Sequence, residues 1–235
     1  CASTRGIVAA ISGALADVSV TDAKKLAAQV GAQLGVAPTK QALEAVPEER
    51  ILAAQEKATA LTSPMDAIHL IRDGLNLGPV VDGSVIQRPT LESLAGGVGA
   101  DKHLLLGSAD DEFTMVFTPM EKVLRWVPRR LGLRLMGLKG RDVALYLYAN
   151  PRAAGSDTAY LLGHFFTDHL FHILVLRTAL LRGSAPTWVY QFSYTQPDTD
   201  LAIHCLDVPF WFDCLGSERV TKLAGPNPPQ SLATA

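Results

Sequence analysis

Two parts of the chain combine residue types that can move protons. Asp110, Asp111 and Glu112 form an acidic run a few residues after the short apolar stretch 104–107. His204 stands just before a firmly packing stretch of apolar and aromatic residues that contains a proline. An imidazole fixed by a carboxylate can take a proton from a hydroxyl nucleophile and return it to the leaving group. Taken singly, a loop acid is usually solvated, and a histidine beside aromatic residues usually belongs to the core.

Two predicted strands would bring these residues to the edge of a sheet. Residues 104–107 are a short apolar run that ends in glycine, which is typical of a buried parallel strand that opens into a loop. Glu112 lies in that loop. Residues 187–193 alternate between aromatic and other side chains and predict a second strand. His204 follows this strand after a turn that contains Pro197.

The rest of the chain is mainly helical in pattern. Residues 19–35 predict a helix, because Ser19 and Asp22 resemble a capping box and Gly35 stands where a C-terminal cap belongs. Further helices are predicted over residues 39–45, from Pro47 onward and over most of 119–182, with interruptions near Pro128, Pro151 and Gly155, while residues 73–90 are rich in loops. Helices that alternate with short apolar strands favour an α/β fold with a mostly parallel sheet.

Both proton-moving segments resemble one family. Residues 104–112 resemble the triad-acid loop of the type-B carboxylesterases (Leu-Leu-Leu-Gly-Ser-x-x-Asp-Glu), and residues 202–212 resemble their triad-histidine segment (Ala-x-His-x-x-Asp-x-Pro-Phe-x-Phe). The resemblance implies an α/β-hydrolase fold, with a mostly parallel sheet flanked by helices. It also implies Glu112 as the catalytic acid and His204 as the base, in the chain order serine, acid, histidine. On chemistry alone, Asp110 and Asp111 are equally eligible as the acid.

Further segments are similar to the same family. They are Pro79-Val80-Val81-Asp82-Gly83, Thr167-Asp168-x-x-Phe171 followed by Arg177, and Arg5-Gly6-Ile7 with Ile11-Ser12-Gly13-Ala14. In the family, the equivalent of Ser12 is a second serine that supports the hydrogen-bond network near the triad. By its position beside Gly13 alone, Ser12 would be a turn residue.

The chain departs from the family at the nucleophile. No Gly-x-Ser-x-Gly occurs in residues 1–235. The matching region begins shortly after the place of this nucleophile elbow, and the family's glycine-rich oxyanion loop lies earlier still. We therefore expect residues 1–235 to form the C-terminal portion of a single α/β-hydrolase domain, incomplete at both ends and inactive alone. The full-length parent would be a serine esterase acting on small-molecule esters. The alternative is a non-catalytic α/β-hydrolase-like domain used for protein interaction.

Composition excludes several other classes. A net charge of −2 gives no general attraction to nucleic acid or to anionic membranes. The best apolar run, residues 170–181, is too short to span a bilayer, so no transmembrane segment is predicted. Three cysteines in 235 residues do not form a disulfide framework, and reduced thiols in the cytoplasm are the simplest expectation.

Two clusters invite a function that the sequence does not support further. His169 and His172 share a helical face, but no further ligand pattern accompanies them, so neither a metal nor a cofactor is predicted. A basic run with interleaved apolar residues fits either a solvated helix face or an amphipathic lid that touches lipid or an anionic partner. Its basic residues are Lys122, Arg125, Arg129, Arg130, Arg134, Lys139 and Arg141.

Overall fold

The computed structural model describes residues 7–10, 17–60, 66, 69, 74 and 77–234. Contacts within the chain group into two compact units, one of Ala16–Ser93 and one of Cys1–Leu15 with Leu94–Ala235. The single domain over residues 1–235 stays a prediction. The strands of the described part are β1 Ile7–Ala10, β2 Val18–Ser19, β3 Val80–Val81, β4 His103–Ala109 and β5 Thr187–Phe192.

The smaller unit contains a helical hairpin beside a short sheet. Strands β2 and β3 pair in parallel. Its helices are α1 Val20–Leu34, α2 Lys40–Glu44 and α3 Glu48–Thr59, and α4 Thr90–Ala95 begins near its end. The predicted caps of α1 are confirmed: the Ser19 hydroxyl accepts a hydrogen bond from the Asp22 amide at 3.0 Å, and Gly35 adopts the left-handed φ of 71°.

The larger unit is built on a sheet of three parallel strands. Their order is β1-β4-β5, with Val8 opposite Leu104 and Leu105 opposite Trp188. The last four residues of β4 are buried, as expected of a central parallel strand. The prediction of a mostly parallel sheet is therefore confirmed, and the carboxyl ends of β4 and β5 meet at the same edge.

The described part of the larger unit also contains a series of helices. They are α5 Glu121–Leu124, α6 Arg129–Leu135, α7 Gly140–Ala149, α8 Pro151–Gly155, α9 Thr158–Thr167, α10 Ile173–Leu181, α11 Val208–Trp211 and α12 Glu218–Ala224, with a 3₁₀ turn at Thr114–Met120. The basic side chains between residues 122 and 141 are all exposed. The apolar residues between them are divided: Leu133 is fully buried, whereas Trp126 is 77% exposed.

One long helix crosses the core of the larger unit. A π turn, Asp168–His172, joins α9 to α10, so that Thr158–Leu181 is continuous over 24 residues. The structure thus extends the apolar run 170–181 toward its N-terminus. By length and composition this helix could cross a membrane, but 56% of its apolar window is buried inside the protein. Leu161, Phe166 and Phe171 lie in that buried part, which is the pattern of a core helix.

Candidate active site

The acidic run forms a tight buried turn at the end of β4. Glu112 has no exposed surface, and Asp111 is only 1% exposed. The Ala109 amide, on the last residue of the strand, donates a hydrogen bond of 2.7 Å to Glu112 Oε1. The side chain of Glu112 therefore folds back onto the strand end. This burial excludes the simpler interpretation of Glu112 as a solvated loop acid.

The histidine segment is joined to this turn by backbone hydrogen bonds. The Asp111 amide donates to the Ala202 carbonyl at 2.9 Å, and the Ala202 amide donates back to Asp111 Oδ2 at 3.2 Å. Two residues further along, the His204 amide donates to the Glu112 carbonyl at 3.2 Å. These bonds fix the two segments against each other independently of any contact between the Glu112 and His204 side chains.

The imidazole of His204 meets the carboxylate of Glu112. His204 Nδ1 lies 2.6 Å from Glu112 Oε2, a hydrogen-bond distance of the kind that an acid and a base of a triad require. The rings of Phe113 and Phe171 pack against the imidazole with centroid distances of 5.3 and 5.5 Å. The His204 side chain is 37% exposed, so it is held on one side and open on the other. With Nδ1 engaged, Nε2 is the nitrogen that can exchange a proton.

The neighbouring acids have other partners. Asp111 accepts hydrogen bonds from the hydroxyls of Thr114, at 3.1 Å, and Tyr160, at 3.2 Å. Asp110 accepts a hydrogen bond from the side-chain amide of Gln191. Of the three candidate acids, the structure brings Glu112 to His204. The catalytic role of the pair stays a prediction.

The chain turns sharply after His204. Cys205 adopts a left-handed backbone with a φ of 63°, which is uncommon for a residue with a side chain. Although Cys205 is an exposed residue, partial burial of its thiol raises the pKa of that thiol, and the negative charges of Glu112 and Asp207 raise it further. A thiol with a raised pKa carries little thiolate at neutral pH, so Cys205 is a poor nucleophile despite its position beside the imidazole.

Two supporting residues received no role from the sequence. Asp207 is fully buried, and the Tyr190 hydroxyl donates to its Oδ2 at 2.8 Å. Burial raises the pKa of Asp207, and the charge of Glu112 raises it further. The Thr167 hydroxyl accepts a hydrogen bond of 3.0 Å from the Phe113 amide. Asp207 and Thr167 both belong to the family-like motifs, which was the available signal for them.

Ser12 and the histidines that were considered as metal ligands remain to be placed. Ser12 lies outside the described residues. Within the described part of the chain, no group of three or more His, Cys, Asp or Glu side chains could hold a metal ion. His172, one of the two histidines on the candidate metal-binding face, instead pairs with Asp168 and the Ala109 carbonyl.

Comparison with known proteins identifies the family. Residues 6–223 match the model of the Carboxylesterase family, so the chain belongs to that family. Over 149 residues it is 30% identical to the para-nitrobenzyl esterase of Bacillus subtilis (strain 168). The matched region covers 61% of this chain and 29% of that relative.

Solved structures show the same fold. The chain is similar to carboxylesterase EST55 of Geobacillus stearothermophilus at pH 6.2, with a TM-score of 0.69 and 24% identity over 97% of this chain and 45% of that one. A thermophilic PNB esterase gives a TM-score of 0.63 and 23% identity over 96% of this chain and 45% of that one. These similarities confirm the α/β-hydrolase fold. The chain spans less than half the length of these relatives.

Proposed function

We propose that this chain supplies the acid and the base of a serine esterase that hydrolyses carboxylic esters. The observation that carries the proposal is the 2.6 Å contact between His204 Nδ1 and the fully buried carboxylate of Glu112. The family membership of residues 6–223 supports it. The nucleophilic serine and the oxyanion donors would come from the part of the family fold that residues 1–235 do not include.

The geometry suits each proton transfer of ester hydrolysis. As the serine oxygen attacks the ester carbonyl, its proton moves to His204 Nε2, and Glu112 stabilises the imidazolium through Nδ1. When the tetrahedral intermediate collapses, Nε2 returns the proton to the departing alcohol and an acyl-enzyme remains. A water molecule then attacks the acyl group, with His204 again taking and returning the proton.

Complementation tests this proposal directly. Residues 1–235 alone are expected to hydrolyse a p-nitrophenyl ester no faster than background, because a serine acyl-enzyme cannot form. Co-expression with the N-terminal half of the Bacillus subtilis para-nitrobenzyl esterase is expected to restore hydrolysis. That restored rate should disappear with His204→Ala.

The controls separate the alternatives. Turnover by residues 1–235 alone that depends on His204 would require a nucleophile inside the chain, with Ser12, Ser108 and Cys1 the first to examine, and would contradict the proposal. A stable complex of the two halves that never hydrolyses ester would favour the protein-interaction alternative. A circular dichroism spectrum of each variant establishes that His204→Ala has not unfolded the complex.

We also propose a cytoplasmic location. Among the described residues, Cys205 and Cys214 are both free and exposed, which supports a reducing compartment. Quantifying free thiols in protein isolated under non-reducing conditions tests this proposal, and quantitative intermolecular disulfides at these positions in the cell would contradict it.

A further inference from the structure

His172 uses both nitrogens of its ring. It is the last residue of the π turn Asp168–His172, and its side chain is 23% exposed. Nδ1 lies 2.7 Å from Asp168 Oδ1, and Nε2 lies 2.9 Å from the carbonyl oxygen of Ala109. A backbone carbonyl can only accept, so Nε2 must carry a hydrogen.

An ionised Asp168 requires a second hydrogen on the ring, and its hydrogen bonds from His172 and Tyr146 outweigh burial and lower its pKa. The Tyr146 hydroxyl donates to Asp168 Oδ2 at 2.6 Å, and His164 Nε2 lies 3.8 Å from the same oxygen. An ionised Asp168 that accepts from Tyr146 on one oxygen accepts from His172 Nδ1 on the other. His172 is then a doubly protonated imidazolium that donates in two directions.

The Ala109 peptide connects this cation to the candidate active site. Its carbonyl oxygen accepts from His172, and its amide donates to Glu112 Oε1 at 2.7 Å. The other carboxylate oxygen of Glu112 meets His204 at 2.6 Å. Thus one peptide residue, Ala109, accepts a hydrogen bond from His172 through its carbonyl oxygen and donates one to Glu112 through its amide.

We propose that protonated His172 is a positioning residue, which fixes the end of β4 and thereby the place where Glu112 meets His204. The effect of His172 on turnover rests on the proposed ester hydrolysis. Its protonation state and its hydrogen bond to the Ala109 carbonyl do not. A neutral imidazole donates from only one nitrogen, so loss of the proton removes one of the two hydrogen bonds.

Several titratable groups face His172. They are Asp168 on its own turn, Tyr146 on α7, Arg152 on α8, Tyr160 and His164 on α9, and Asp110 and Asp111 after β4, and most of them line one polar cavity of about 310 Å³. Burial alone would lower the pKa of His172. Its hydrogen bonds to Asp168 and Ala109, with the negative charges of Asp168 and Asp110, outweigh burial and raise this pKa above the ordinary 6.5.

Because the pKa of His172 is raised, its contribution to stability is lost on the alkaline side. A histidine whose pKa is raised in the folded state stabilises the fold fully below the unfolded value, here 6.5, and loses this contribution as pH rises through the folded pKa. Deprotonation of His172 is therefore expected to release the strand end on the alkaline side. In the parent enzyme, kcat should fall there by about tenfold, the equivalent of one hydrogen bond.

Nitrogen NMR tests the protonation state without catalysis. In protein labelled with ¹⁵N-histidine, both ring nitrogens of His172 should keep their imidazolium shifts at pH values above 6.5. A low-field proton signal is expected from the hydrogen bond between His204 and Glu112, and it should shift or vanish in His172→Gln. An unprotonated Nδ1 on His172 near neutral pH would overturn the proposal.

Kinetics of the full-length parent test the positioning role. His172→Gln should lower kcat by about tenfold with KM unchanged. Glutamine carries no charge, and its single amide nitrogen cannot reproduce the hydrogen bonds of the ring to both Asp168 and the Ala109 carbonyl. His172→Lys keeps a cation with several donors, so it should recover most of kcat and lose the alkaline decline attributed to His172. His169→Gln, an exposed histidine on the same π turn, is the matched control and should leave both kcat and the pH profile unchanged.

The outcomes separate this proposal from the proposed function. If the parent lacks esterase activity but His172 is an imidazolium and His172→Gln disturbs the His204 signal, the positioning role stands and the esterase function fails. If the parent is active while His172→Gln matches His169→Gln in kcat and pH profile, the esterase function stands and the positioning role is overturned.

Discussion

Replacing Glu112 with glutamine in the full-length parent is expected to lower kcat for a p-nitrophenyl ester by about 10⁴-fold, with little change in KM. Both carboxylate oxygens accept hydrogen bonds, Oε1 from the Ala109 amide and Oε2 from His204 Nδ1. A glutamine has one oxygen and one amide nitrogen. Because the Ala109 amide can only donate, the oxygen should turn toward it and leave the nitrogen facing Nδ1.

This arrangement selects the wrong histidine tautomer. A side-chain amide that donates to Nδ1 places the imidazole proton on Nε2, where the base must be unprotonated to accept the serine proton. The variant also loses the negative charge that stabilises the imidazolium. Steady-state kinetics of the parent and of Glu112→Gln measure the effect.

An exposed glutamate provides the matched control. Glu121, at the start of α5, is solvent-exposed, so Glu121→Gln makes the same chemical change without touching the site. Surface substitutions usually change stability by no more than about 0.5 kcal/mol, so the variant should fold normally and keep kcat within about twofold of the parent. Equal kcat values for the two variants would contradict the assignment of Glu112 as the acid.

The elements that the sequence predicted well are those with local signals. The helix at Val20–Leu34 is marked at both ends by capping residues, and β4 is marked by an uninterrupted apolar run. Such signals operate over a few residues, so they survive whatever the rest of the chain does. The pairing of Glu112 with His204 was accessible for another reason, which is the resemblance of two short motifs to one family.

What the sequence did not reveal depends on contacts between distant residues. Glu112 and His204 are 92 positions apart, and the burial of Glu112 arises only when both segments meet. Likewise, His172 on the long helix reaches Ala109, 63 positions earlier. The sequence predicted no metal at this histidine and gave it no other role, whereas its two-sided hydrogen bonding supports the imidazolium proposed above. No local pattern encodes these contacts. The cost of closing a loop grows only slowly with its length, so the length and sequence between two segments say little about whether they meet.

A substitution in the long helix should have a large effect on stability. Gly163 lies in α9 where the 3₁₀ turn Thr114–Met120 crosses it. A Cβ at Gly163 would overlap the Thr114 carbonyl oxygen and lie 2.7 Å from its carbon and 2.8 Å from the Thr114 Cα. These are backbone atoms, so no rotamer change can relieve the overlap. Gly163→Ala is expected to lower the free energy of unfolding by about 3 kcal/mol or more, at the upper end of overpacking costs.

Gly155 supplies the comparison that isolates this contact. It ends α8, and a Cβ there would meet no atom within 4 Å. Gly155→Ala should therefore change the free energy of unfolding by less than about 1 kcal/mol, or raise it, because alanine loses less backbone entropy than glycine on folding. Urea unfolding followed by circular dichroism measures both variants.

The acid turn lies next to the displaced backbone, since the Thr114 amide donates to the Asp111 carbonyl at 3.2 Å. If the two variants unfold at the same urea concentration, the close approach of α9 to the Thr114 turn is wrong, and with it the packing that supports Glu112.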